Sequence, residues 1–144
     1  MIARIRYRTG YKYQLAEDHS EWLHLGRLLQ DYQGDFLELD IGISPQDPTR
    51  LTMLKGYAWD GPSGPAVDSP NFMRGSLVHD ALYQLLRLGV LPQFCRKRAD
   101  EELRRICLED GMPRIRAELV YWAVRTFARR PALVTSVRPV LTAP

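Results

Sequence analysis

The 144 residues are 45% apolar and 26% charged and carry a net charge of +3, the balance of an ordinary globular domain with a sizeable core. No apolar run approaches the ~20 residues that span a bilayer, so no transmembrane segment is expected. The positive excess is too small to argue for a nucleic-acid partner.

One domain is expected over 1–144, in four parts. Residues 1–57 read as β-rich. "ARIRYR" alternates, with Arg4, Arg6 and Arg8 on one face, and Thr9-Gly10 suggests a turn. "YKYQLAED" follows, "SEWLHLGRLL" fits a strand or a short helix, and "DFLELDIGI" and "RLTMLKGYAW" read as strands. Four or five short strands in a mostly antiparallel sheet are predicted. The opening "MIARIRYRTGYKY" is polar and does not read as a secretion signal, so synthesis in a cytoplasm is expected.

A Gly/Pro loop occupies 58–69, where "DGPSGPAVDSP" leaves no room for a regular element. Three helices are predicted over 70–130. The first has Asp68 or Ser69 as cap and Pro70 near its start, and it stops at Gly89. The second covers about 93–110, with Ala99, Leu103 and Ile106 as its apolar stripe, and ends at Gly111. The third begins at Pro113, with Ile115, Leu119, Trp122 and Thr126 on one face; Trp122 and Phe127 are expected in the core. Its arginines make the polar side basic, a surface suited to an anionic membrane, an acidic protein or nucleic acid. A proline-rich tail, 131–144, closes the chain. Cys95 and Cys107 stand 12 residues apart on the second helix, roughly 18 Å, and are expected as free thiols. His19 and His24 lie in the β-rich part with no partner pattern and are expected at the surface.

The chemistry-bearing stretch is "GSLVHDALY" at 75–83. His79 and Tyr83 are i and i+4 and share a face, whereas Asp80 is rotated by about 100° toward Ser76 and Gln84. His79 and Asp80 therefore need separate partners. The short Gly89–Pro92 connection favours an antiparallel pair of helices, which brings Asp100 to the depth of His79. A carboxylate on one ring nitrogen would fix the tautomer and leave the other nitrogen as a base. Tyr83 or Tyr121 is placed to donate to the same carboxylate. Asp80 needs a cation, and Asp60 at the head of the Gly/Pro loop is its nearest co-ligand. Two carboxylates and loop carbonyls make an oxygen-rich set suited to Ca²⁺. Plainer readings stand beside these. In these His79 is a satisfied structural histidine, Asp100 a salt-bridge partner of Arg96 and Arg104, and Asp60 a turn cap.

"WDGPSGP" at 59–65, "HDALY" and the later Asp100 resemble the core of the phospholipase A2 superfamily, above all its short bacterial and fungal branch. That resemblance implies His79 as general base for a water and Asp100 orienting it with support from Tyr83. It also implies calcium held by Asp60, Asp80 and the Gly61 carbonyl. The disulfide cysteines of the secreted enzymes are missing. With "RKRAD" at 96–100 and "YWAVR" at 121–125, residues 35–130 also resemble a phage and prophage family, the domain of unknown function 1353.

The expectation is thus an α+β chain, a small antiparallel sheet followed by a three-helix, phospholipase A2-like unit. Its expected activity is hydrolysis of an ester, a lipid ester or another bond met at the cell envelope. The alternative is a non-enzymatic virion or tail-assembly component that uses the same polar cluster to lock its helices. Partners would be tail or other virion proteins, and the chain would be made in the host cytoplasm and carried in the particle.

Overall fold

The computed structural model describes residues 5, 7–8, 13–28, 30–44, 46–61 and 69–133. Among the described residues seven strands precede three helices: β1 (Tyr7–Arg8), β2 (Tyr13–Leu15), β3 (His19–Leu23), β4 (Tyr32–Gln33), β5 (Leu37–Asp40), β6 (Thr49–Met53), β7 (Ala58–Trp59), α1 (Pro70–Arg87), α2 (Cys95–Glu109) and α3 (Arg114–Phe127). Arg130–Ala132 adds a single 3₁₀ turn. The expected α+β architecture is present, with strands before helices. They form two antiparallel sheets rather than one: β1-β2-β7 and β3-β6-β5-β4.

The ambiguous "SEWLHLGRLL" begins as strand β3, because Glu21 and Leu23 alternate inward against Leu51 and Thr49 of β6. On the other side of β6, Leu37 and Leu39 pair with Met53 and Leu51 and close the buried face. In the smaller sheet β2 lies between β1 and β7, with Tyr13 opposite Trp59.

α1 is buried over most of its circumference, as a central helix must be. Leu77, Val78, Ala81, Leu82, Leu85 and Leu86 enter the same core as Leu23, Leu39, Leu51 and Trp59 of the sheets. Gly75 permits the approach of α2: a Cβ there would stand 2.8 Å from Cys107 Sγ. A second core, between α1, α2 and α3, holds Phe72, Leu103, Cys107, Met112, Ala117 and Val120.

The helix ends follow the sequence. Gly89 at φ +74° ends α1 and frees its N–H for Leu86 while Val90 bonds Leu85. Gly111 does the same after α2, bonding Leu108 while Met112 bonds Cys107. Ser69 stands at the N-cap of α1 without capping it: its hydroxyl lies 2.6 Å from Asn71 Oδ1 and 2.9 Å from Arg116 Nη1. Cys95 and Cys107 are free and buried, as expected.

One expectation is reversed. Ile115, Leu119, Trp122 and Thr126 do share a face of α3, but that face is outward, with Ile115 79% and Trp122 62% exposed. Phe127 is exposed too. The buried seam is Ala117, Val120 and Tyr121, with Val124 packed against it, because α3 must sit close to α2 and small side chains allow that approach. His19 is also not a solvated histidine: its Nε2 lies 2.8 Å from Glu21 Oε1. His24 is exposed. The side chains of Arg4, Arg6 and Arg8, most of the Gly/Pro loop (62–68, with Asp68) and the tail 134–144 lie outside the described residues. Among the described residues no helix is long and apolar enough to cross a membrane.

Candidate functional site

Asp100, on the inner face of α2, is fully buried, and its two oxygens are claimed by the two other helices. Oδ1 lies 2.7 Å from His79 Nε2 and accepts the Tyr83 hydroxyl at 2.7 Å, both from α1. Oδ2 accepts Arg125 Nη1 from α3 at 2.8 Å. Burial would raise the Asp100 pKa, but the bonds from His79, Tyr83 and Arg125 outweigh it and hold the carboxyl below its usual range. Burial and the nearby Asp100 charge push Tyr83 upward, so it stays a donor.

The tautomer follows. An ionised carboxylate only accepts, so His79 Nε2 carries the hydrogen, and Nδ1 holds the lone pair when the ring is neutral. No described group bonds Nδ1. Every fully buried side-chain nitrogen and oxygen among the described residues has a partner. The small remaining exposure of His79, 7%, therefore includes Nδ1. The His79 and Tyr83 rings lie 4.1 Å apart at 36°, which restricts the imidazole to one orientation.

Asp80 sits on a different strip of α1, with Ser76 and Gln84 one turn either side. Those two are tied to the end of the sheet: Trp59 Nε1 donates to Ser76 Oγ at 3.2 Å, and the Tyr57 hydroxyl donates to Gln84 at 3.2 Å. Strand β7 is thereby laid along α1 and brings Asp60 to Asp80. The Asp60 backbone N–H there favours the ionised form of the Asp80 carboxylate. Burial raises the Asp80 pKa to about 6; the Asp60 carboxylate adds to the rise, and His79 and Arg87 oppose it. Gly61 at φ +74° is buried against the Tyr13 ring, so the chain turns there as only glycine does readily.

The sequence-predicted residues thus divide into two neighbouring groups on α1, His79–Asp100–Tyr83 and Asp60–Gly61–Asp80. Tyr121 does not join the first, since its ring stacks under Arg104 at 4.2 Å. Arg104 goes to Glu118 at 3.2 Å rather than to Asp100. Arg96 also bypasses Asp100, donating to the Tyr83 hydroxyl at 3.2 Å and to the Val124 and Arg125 carbonyls at 3.0 and 2.9 Å. The residue that sequence reasoning missed is Arg125, the Asp100 partner from α3; "YWAVR" marked it as part of a motif without saying where it points.

For a hard cation Asp60 and Asp80 bring two carboxylates together, far fewer than the six to eight oxygens calcium takes. Donor type fits, since carboxylates are hard oxygen ligands; the raised Asp80 pKa itself comes first from burial and only then from the Asp60 charge. Among the described residues no three of His, Cys, Asp and Glu converge as a metal cluster. A cavity of about 310 Å³ lies elsewhere, between Gly26–Leu28 and the 41–49 segment, and none of the candidate residues lines it. No protein-family model, curated protein or solved structure matches this chain.

Proposed function

We propose that this chain is a hydrolase of phage or prophage origin, phospholipase A2-like in its helical part, that attacks an ester with a water activated by His79. The carrying observation is the oriented imidazole: Asp100 fixes Nε2–H at 2.7 Å and leaves Nδ1 as the base. Asp100 remains ionised and compensates the imidazolium formed when Nδ1 takes the proton, while Tyr83 holds the carboxylate in place. Asp60, Asp80 and the Gly61 carbonyl would hold Ca²⁺, whose contribution when bound is a positive charge for a developing oxyanion.

The test is hydrolysis of a panel of short- and long-chain acyl esters by the purified chain with calcium present. His79→Gln is expected to lose activity by 10²-fold or more. Asp100→Asn, which no longer compensates the imidazolium, should follow it. Equal rates for wild type and His79→Gln would sink the proposal.

A second reading draws on the near-complete burial of the same cluster. In a non-enzymatic virion or tail-assembly component the network would serve to join α1, α2 and α3. No ester would then be cleaved, and both substitutions would act on stability alone.

A further inference from the structure

The outward face of α3 does not belong to the candidate site. Ile115, Leu119, Trp122 and Thr126 recur at four, three and four residues and form one stripe along the helix; Phe127, at the last helical position, is exposed about 100° round from it. Ile115, Leu119, Trp122 and Phe127 are 79%, 66%, 62% and 82% exposed, and nothing among the described residues covers them. Four large apolar side chains on one short helix are more than scattered surface residues require.

The charges beside the stripe are mostly positive. α3 carries three arginines against one glutamate, and that glutamate, Glu118, is taken by Arg104 at 3.2 Å. Arg114 at the start of α3 and Arg129 just beyond its end have no acidic partner among the described residues. Arg125 points inward to Asp100. The solvent side of α3 thus presents an apolar stripe with a tryptophan near its middle and an uncompensated arginine at each end.

We propose that this face of α3 docks the protein on an anionic lipid surface, with Ile115, Leu119, Trp122 and Phe127 entering the headgroup boundary and Arg114 and Arg129 meeting lipid phosphates. An amphipathic helix lying in the interface plane has this arrangement. A second copy of the chain is a poorer occupant. A helix of 14 residues is about 21 Å long, and a stripe one side chain wide along it falls well short of the roughly 800 Å² per partner of a stable protein interface. A bilayer demands no such area or shape match and supplies the negative charge. The proposal stands on the surface alone and does not require that His79 be a base.

The test is flotation of the full chain with vesicles of phosphatidylcholine, with and without phosphatidylglycerol, beside light scattering of the free protein. The wild type should float with the anionic vesicles, much less with the neutral ones, and less as salt rises. Leu119→Ser with Trp122→Ser should abolish flotation without lowering the melting temperature, since neither side chain packs in the core. Arg114→Gln and Arg129→Gln should each weaken it about fivefold. Absence of flotation at low salt overturns the proposal, as does equal flotation of the double variant. A dimer dispersed by the double variant, with no flotation, assigns the stripe to a second copy. Trp122 emission already shielded from quenchers in the free monomer would place another part of this chain over the stripe and overturn the proposal too. Ester hydrolysis is read separately, so failure of either reading leaves the other standing.

Discussion

Asp100 holds a buried negative charge whose every bond comes from another helix, so the residue reports on its neighbours. Its folded pKa lies below the unfolded value of about 4, so its contribution to stability is present above that pH and is lost as the pH falls through the depressed folded value. Removing Arg125 takes away one of the bonds that hold it down. Arg125→Met is expected to cost about 2 kcal/mol at neutral pH and to move acid unfolding to higher pH, read from denaturation midpoints across an acid series. Asp100→Asn should flatten that acid limb. The neighbouring pair makes a different prediction. Calcium at a hundredfold excess over its dissociation constant would stabilise by about 2.7 kcal/mol, and Asp80→Asn should abolish the accompanying rise in melting temperature. An unmoved wild-type melt would remove calcium from the proposal. The His79–Asp100 pairing was legible in the sequence because helical periodicity and a short connection fix relative depth. The choice of Arg125 over Arg96 and Arg104 was not, since a long flexible side chain has several carboxylates and carbonyls within reach.

Gly75 shows how an element is positioned by a missing side chain. An alanine there would gain up to about 1 kcal/mol of helix propensity but place its Cβ 2.8 Å from Cys107 Sγ and 3.1 Å from Leu103 Cδ1. The Sγ belongs to a short, fully buried side chain that has nowhere to move. Gly75→Ala should therefore lower stability by about 1–2 kcal/mol, and Gly75→Ala with Cys107→Ala should recover most of it, a coupling measurable by a double-mutant cycle in denaturant. Helix boundaries were readable to within a few residues because glycine and proline punctuate them. The orientation of α3 was not. Two faces of that helix carry apolar residues, and the larger ones lie outside, whereas the smaller Ala117 and Val120 face α2 because they permit close packing. Hydrophobicity alone favours the wrong face.

At the scale of the whole molecule, Arg74 joins the larger sheet to the helices. From the second turn of α1 it reaches Glu21 of β3 at 2.6 Å and Asp110, at the end of α2, at 2.9 Å, with Glu109 beside it at 2.9 Å. Burial would weaken the guanidinium charge, but the bonds from these carboxylates raise its pKa. Arg74→Met would leave the buried Asp110 without its cation and Glu21 with His19 alone. A loss of about 3–5 kcal/mol is expected, checked by urea denaturation, and it should be far larger than that of Arg50→Met at the exposed Arg50–Asp40 pair. Neither this junction nor the division into two sheets was visible in the sequence. Strands of two to five residues carry too little alternation to select non-local partners, and an arginine in an apolar helix does not announce its acids.

The thin seam of α3 has a kinetic consequence. α1 is enclosed by sheets and helices, but α3 is held by a few small side chains, the Arg96 bonds to its last carbonyls and the Arg125–Asp100 pair. Its amides should exchange with deuterium through a partial opening that leaves α1 and α2 protected. Each such opening strips Asp100 of a cation and frees the Tyr83 region. The pace of α3 detachment would then set how often the imidazole network is fully assembled.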